Sequence, residues 1–252
     1  DSAANAEAYR DELSERGVEL AEMIPYALDP ATLQETAANA IARLKQAGVT
    51  TVIFAGDPVA PRDFTREATA QDYHPEWFLN LSTLIDTNAF GRSYDQEQWA
   101  HAFGLTPLAA RVDPDVFSSY QIYEWFHGEE TAADGTLEVI VPSPNLFFAV
   151  LQDVGPELTH ETFAEALTRY QNPDAVHAYS VSFGDHGLWP DVEGPDWFGI
   201  DDVTRIWWDP DAPGQDEIRK DGNGLWMYVD GGTRFHVADW EEGDFGAFDP
   251  EG

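Results

Sequence analysis

AGVTTVIFAGDPVAPRDFTREATAQDYHPEWFLN, residues 47–80, reads as one parallel α/β unit whose loop chemistry collects at the strand ends. Thr50 to Ala55 is a short β-branched and apolar run, suited to a strand covered on both faces. Gly56, Asp57 and Pro58 end it abruptly, a helix is predicted from about Asp63 to Gln71, and Pro75 leads into a second strand at Glu76 to Leu79. Upstream, Leu33, Ala37, Ala40, Ile41 and Leu44 recur at three- and four-residue spacing, which predicts a helix from about Pro30 to Gln46 with one face on a sheet. Asp29 is positioned to cap it, Pro30 suits the first helical position, and Gly48 stops it. Helix, strand, helix, strand is the rhythm of an open parallel sheet, in which ligands lie beyond the carboxyl ends of the strands. The loops that begin at Asp57 and Asn80 are therefore expected to face any cleft.

Composition narrows the function classes. At 252 residues the chain can form one large or two small domains, and 43% hydrophobic content with nine Trp and fifteen Phe is ample for a packed core. Its 47 acidic and 13 basic residues give a formal charge of −34, a field that repels phosphate backbones and anionic membrane surfaces. Nucleic acid is not an expected partner. The charge is dispersed except around Asp239 to Asp249, so it reads as a heavily solvated surface, suited to a halophilic or an extracellular source. With no cysteine these residues hold no disulfide and no thiolate chemistry. They also contain no secretory signal, no lipid-attachment motif and no apolar run long enough to span a bilayer.

Further along, Asp113 to Gly128 is predicted as a helix with Val116, Tyr120, Tyr123 and His127 along one side, its aromatic content favouring core packing. Ala132 to Glu138 reads as a linker. After Pro142, Ser143, Pro144 and Asn145, the residues Leu146, Phe147, Val150, Leu151 and Val154 can line a buried helix. Thr159 and Thr162 form a capping signature ahead of Phe163, Ala166 and Leu167. From Ala178 the texture turns to short β-rich runs, Ala178 to Phe183, Val203 to Trp208 and Leu225 to Val229, separated by Gly, Pro and Asp clusters. The expected organisation is an α/β region over 1–135, a helical segment over 136–175, which the family resemblance given below makes a crossover, and a β-rich region over 176–252.

Catalytic and metal readings are weaker. Ser182, Asp185 and His186 are triad residue types, but sequence neighbours rarely supply triad geometry and there is no nucleophile elbow. Carboxylates are so abundant that a pair for glycoside hydrolysis, for which Glu161 and Asp202 are as eligible as others, is uninformative without a separation. Asp209, Asp211, Asp216 and Asp221 miss the calcium-loop spacing and read as solvated turns. The seven histidines show no zinc-type pairing, and there is no phosphate-cradling glycine loop or dinucleotide fingerprint. No catalytic residue, no metal and no cofactor is therefore expected.

The 47–80 unit resembles the second lobe of type I periplasmic binding proteins, the substrate-binding components of ABC importers, and among them the branched-chain amino acid binding proteins and their actinobacterial relatives. DSAANAEAYRDELSERGVELAEMIPYALDPATLQETAANAIARLKQAGVTTVIF (1–54), AFGRSYDQEQWAHAFG (89–104), VSFGDHGLWP (181–190) and GIDDVTRIWWDPDA (199–212) look like segments of the same relatives. The resemblance implies an open parallel-sheet α/β lobe with a β-rich C-terminal region. It implies a solute-binding component that captures a small polar molecule such as an amino acid, amide or organic acid without converting it, delivers it to an ABC-transporter permease, and works outside the cell or at its surface. In the family a first lobe and the opening strand of the second precede this region, so the chain is expected to be the C-terminal portion of a larger protein. The helix equivalent to Leu146–Val154 crosses back to that first lobe, so Phe147 and Phe148 call for the missing lobe or a partner chain.

For solute contact the candidates are Asp57, Asn80, Ser82 and Thr83, with Tyr26 and Asp86 behind them. Asp57 can pair with an ammonium group, and Asn80, Ser82 and Thr83 can exchange hydrogen bonds with a solute. The competing reading makes Asp57 a cap of the following helix and Ser82 and Thr83 turn residues. Trp77 and Phe78 read as core, and burial is the default for most of Trp189, Trp197, Trp207, Trp208 and Trp226, although exposed aromatics would bind sugar or aromatic faces. Two further classes stay open: a structural or assembly module that docks through Leu146–Val154, and an acidic-cleft hydrolase.

Overall fold

The computed structural model describes residues 2–80, 84–108, 118–131, 139–140, 142–170, 180–185 and 194–236. The elements are helices α1 (Ser2–Glu15) and α2 (Leu33–Ala47), strand β1 (Thr51–Phe54), helix α3 (Pro61–Ala70), strand β2 (Glu76–Asn80), short helices α4 (Asn88–Gly91) and α5 (Gln96–Trp99), and strand β3 (Ala102–Thr106). Then come helices α6 (Ser118–His127), α7 (Pro142–Val154) and α8 (His160–Arg169), strands β4 (Asp202–Gln215) and β5 (Asp221–Tyr228), a 3-10 turn and strand β6 (Arg234–His236). The sheet runs β1-β2-β3-β4-β5, with β6 joining β4 off that path. The chain divides into two compact units: residues 1–104 with 206–214 and 222–227, and residues 105–205 with 215–221 and 228–252.

In the first unit the predicted rhythm is present. β1 and β2 are parallel, with Thr51 opposite Glu76 and Phe54 opposite Leu79. The α2 stripe buries Leu33, Ala37, Ala40 and Ile41, and Gly48 closes the helix in the left-handed region with φ 69°. Asp29 acts one turn earlier than expected: its carboxylate accepts from the Ala31 amide and the Thr32 hydroxyl, and α2 begins at Leu33. β1 is not covered on both faces as its apolar run suggested. It stands at the end of the strand order, and Thr51 is exposed while Val52 and Ile53 are half-buried.

The core of this unit is built on tryptophan. Trp77, Trp99 and Trp208 are completely buried and Trp226 nearly so. Trp77 lies 6.4 Å from Trp99, Trp99 5.9 Å from Trp226, and Trp226 5.3 Å from Trp208, centroid to centroid, the last two pairs edge-to-face. Each such contact adds about 0.5–1.5 kcal/mol beyond the area it buries. Polar groups then fix the β4–β5 hairpin to α4 and α5. Arg92 donates through Nε to the Gly224 carbonyl (2.9 Å) and through Nη2 to those of Gly214 (2.9 Å) and Gly222 (3.0 Å). Asn88 Oδ1 accepts from the Trp226 amide (2.8 Å), and Gln96 Oε1 accepts from the Trp208 indole (3.0 Å).

In the second unit, Arg234 on β6 reaches Asp202 on β4 through Nη2 (2.6 Å) and Nε (2.9 Å), and also donates to the Pro107 carbonyl (2.8 Å). Asp202 is further satisfied by the amide and hydroxyl of Ser180 (3.1 and 2.7 Å). The Thr159 capping box forms as predicted, and α8 packs on α7, with Arg169 paired to Asp153 at 2.6 Å. The expectation of core packing for the aromatic helix is corrected: α6 buries Tyr120, but Ile122, Trp125 and Phe126 stand out, Trp125 being 82% and Phe126 73% exposed. Residues three and four apart share a helix face, so these three form one stripe, and the predicted stripe through Tyr120 and Tyr123 is a different one. On α7, Val150 is buried whereas Phe147 and Phe148 are exposed. Trp197 is also exposed; Trp189 lies outside the described residues.

The tryptophan core generates a test. A Cβ on Gly224, whose φ is +96°, would meet Trp208 at 2.5 Å, while one on Gly222 would make an ordinary 3.5 Å contact with Arg92. Gly224→Ala is expected to cost about 2–4 kcal/mol through strain and overpacking, against less than about 0.5 kcal/mol for Gly222→Ala. Urea midpoints measure both, and equal midpoints would exclude this packing.

Candidate functional site

The parallel register sets the geometry. With Phe54 opposite Leu79, the segments leaving β1 at Asp57 and ending β2 at Asn80 emerge at the same edge of the sheet. Asp57 is half-buried there and heavily bonded. Its Oδ1 accepts from the amides of Val59 (2.8 Å) and Ala60 (2.9 Å), the turn that feeds α3, and its Oδ2 accepts from the Tyr26 hydroxyl (2.6 Å). The same hydroxyl accepts from the Asp57 amide at 3.1 Å. Tyr26 is held by ring contacts to Phe54 (5.7 Å) and Phe64 (5.5 Å), and Gly56 leaves room for it, since a Cβ there would fall on the phenol oxygen.

Burial works to raise the Asp57 carboxyl, but the hydrogen bonds from Tyr26 and from the Ala60 and Val59 amides outweigh it and hold the group below the usual carboxylate range. Burial, reinforced by the bond to Asp57, raises the Tyr26 phenol. At neutral pH the pair is a carboxylate and a neutral phenol. Among the described residues no Lys, Arg or His forms an ion pair with Asp57. Asp57 thus closes the turn ahead of α3, whose N-cap is Ala60, and does so at the rim.

Asn80 is half-buried at the last position of β2. Ser82 and Thr83 lie outside the described residues. Asp86 is buried in the turn after them, where the Thr87 hydroxyl donates to the Leu84 carbonyl (2.7 Å). Sequence reasoning did not single out Tyr94. It is buried, donates to the Pro58 carbonyl (2.7 Å) beside Asp57, and rests against Trp99 at 4.5 Å. Burial, then the negative charges of Asp57 and Asp86, push its phenol upward. No local signal in GRSYDQ separates Tyr94 from a surface tyrosine, because its partners are brought in by the fold.

Ser182, Asp202, Asp209 and Asp216 have structural partners. The Ser182 hydroxyl donates to Asp201 Oδ1 (3.0 Å), and His186 lies outside the described residues. Burial raises the Asp201 carboxyl, partly offset by Ser182. Asp202 is held by Arg234 and Ser180, and Glu161 sits exposed in the first turn of α8. Asp209 accepts from the amides of Asp211 (2.9 Å) and Ala212 (3.2 Å), and Asp216 from those of Ile218 (3.1 Å) and Lys220 (2.9 Å), each closing its own turn. Among the described residues no group of three or more His, Asp or Glu is arranged to hold a metal ion, and no helix is long and apolar enough to cross a membrane.

No protein-family model matches the chain, and no curated protein matches it. Solved structures do. The leucine-, isoleucine-, valine-, threonine- and alanine-binding protein of Brucella ovis, in its closed conformation, aligns over 90% of this chain and 53% of its own with a TM-score of 0.51 and 13% identity. An ABC-transporter solute-binding protein of R. palustris in complex with 4-hydroxybenzoate aligns over 87% of this chain and 56% of its own, with a TM-score of 0.52 and 12% identity. Both are type I periplasmic binding proteins of ABC transporters, and the chain shares their α/β fold. It spans about half the length of either.

The Tyr26–Asp57 bond is testable apart from any ligand. Tyr26→Phe is expected to lower stability by about 1–2 kcal/mol at neutral pH, a charge-assisted bond discounted for partial exposure. Asp57 is depressed in the folded state, so its contribution is present above the unfolded value of about 3.9 and is lost as pH falls through the lower folded value. The difference between Tyr26→Phe and the parent chain should therefore shrink in acid, as read from urea midpoints across that range. A pH-independent difference would remove the ionised carboxylate from the description.

Proposed function

We propose that this chain is part of a solute-binding protein of an ABC importer, one that captures a small polar molecule at the rim of β1 and β2 without chemical conversion and hands it to a permease outside the cell or at its surface. The observation that carries the reading is the parallel β1–β2 register, which brings the Asp57 and Asn80 segments to one edge of the sheet. The fold shared with solved solute-binding proteins supports it. In this reading Asp57 meets a cationic group, Asn80, Ser82 and Thr83 exchange hydrogen bonds with the solute, and Tyr26 and Asp86 are secondary contacts. Closure of a two-lobed protein over the rim would remove these groups from water and strengthen each contact. Amino acids, amides and short organic acids carrying an amino group are the solutes that suit it.

A second reading, a protein-contact module, is favoured by one observation: the exposed Ile122, Trp125 and Phe126 stripe of α6, with Phe147 and Phe148 of α7. The two readings are compatible if the apolar faces are covered by a further lobe or a partner chain. Calorimetry on the longest native form with a panel of small metabolites tests the first. Asp57→Asn is expected to weaken a cationic solute by more than about tenfold, as for a charge-assisted contact removed from water. Unchanged affinity would take Asp57 out of the site. For the second, Trp125→Ser with Phe148→Ser should abolish any self-association or partner binding seen by light scattering, and full retention would reject these faces as the contact.

A further inference from the structure

We infer that His74 is a proton-released latch: its neutral ring ties the segment entering β2 to α5 through Gln98, and a second proton on the ring drives it off Gln98 toward the carboxylates outside. Gln98 is completely buried. Its Oε1 accepts from the Trp77 indole N–H (3.2 Å), and its Nε2 reaches the Tyr73 carbonyl (3.0 Å) and His74 Nδ1 (3.0 Å). An indole N–H only donates and a carbonyl only accepts, so both ends of the Gln98 amide are fixed. Nε2 therefore gives one hydrogen to Tyr73 and the other to His74, and Nδ1 must receive it with a bare lone pair. The bond made at one ring nitrogen sets the state of the other, so the neutral ring carries its proton on Nε2.

A second proton breaks that fit. An imidazolium donates from both nitrogens, which sets an Nδ1–H against the Gln98 N–H. Turning the amide over does not relieve the conflict, because its oxygen would then oppose the Tyr73 carbonyl and its nitrogen the Trp77 indole, leaving buried polar groups without partners. The ring is the part that can move. Its side chain is 34% exposed, and Nε2 already lies 3.5 Å from Asp72, in the turn after α3, and 3.9 Å from Glu97 on α5. Lys45 of α2 holds the backbone of that turn by donating to the Gln71 and Asp72 carbonyls. The remaining titratable groups nearby are engaged elsewhere: the Tyr73 hydroxyl donates to the Val49 carbonyl (2.8 Å), Glu76 accepts from the Thr51 hydroxyl (2.7 Å), and His101 meets Trp77 through its backbone carbonyl (3.1 Å). All of these residues belong to the first unit, so the latch connects a proton at its surface with the buried Gln98 beside Trp77.

The experiment is an NMR pH titration of the 252-residue chain, with the His74 ring nitrogens, the Gln98 side-chain amide and the Trp77 indole N–H as reporters. The neutral ring is expected to carry its hydrogen on Nε2. The nuclear Overhauser contact between the Gln98 side-chain amide and the His74 ring should be lost over the same interval in which the ring nitrogens report protonation, while the contact between the Trp77 indole N–H and Gln98 persists. His74→Asn keeps an acceptor for the Gln98 amide and removes the titrating ring, so the pH response of that amide should vanish in it, which separates His74 from His101. A neutral ring protonated on Nδ1, a Gln98 contact that survives in the imidazolium, or a Gln98 response unchanged in His74→Asn overturns the latch. The first two readouts need no variant and decide the matter even if His74→Asn fails to fold.

Discussion

The packing of Trp208 against Gly91 and Gly224 is the contact on which the first unit depends. A Cβ on either glycine would lie 2.5 Å from the indole, so the ring fits only because both backbones come that close. Around it, Arg92 gathers three carbonyls of the β4–β5 hairpin, and Gln96 and Asn88 take the Trp208 indole N–H and the Trp226 amide. A hairpin more than a hundred residues downstream is thereby fixed to the α/β unit that opens the chain. Without it, Trp99 would lose its edge-to-face contact with Trp226, the middle one of the three ring contacts that run from Trp77 to Trp208.

The rim inherits its rigidity from that core. Tyr94 links the two, resting on Trp99 on one side and donating to Pro58 on the other. Asp57 is held by Tyr26, whose ring belongs to a second aromatic group with Phe54 and Phe64. One aromatic group thus bonds to the Asp57 carboxylate and the other to the Pro58 carbonyl next to it. A carboxylate fixed in this way keeps one orientation, set by the Tyr26 hydroxyl and the Val59 and Ala60 amides.

The second unit is organised on different terms. Asp202 and Arg234, both largely shielded from solvent, tie β6 to β4, yet α6, α7 and α8 bury chiefly Tyr120, Val150 and Ala166. Helices of this length ordinarily gain their stability by burying an apolar face, and here large aromatic side chains remain on the outside. The contrast between a tryptophan-filled core and bare aromatic helices is the main difference between the two units.

What the sequence determined by itself is local. The α2 stripe, the Gly48 stop, the Thr159 capping box and the strand–helix–strand order from β1 to β2 follow from propensity and periodicity among near neighbours, and all are present with boundaries shifted by a few residues. The parallel rhythm also carried the expectation that Asp57 and Asn80 leave the sheet at one edge. Only the tertiary structure decided what those residues can do. The phenol that occupies Asp57 Oδ2 comes from 31 positions earlier, and Tyr94 arrives at Pro58 from 36 positions later. It also decided that, among the described residues, β1 ends the strand order and that Trp125 faces outward, because pairing order and the covering of a helix face depend on contacts between distant segments, which local periodicity does not encode.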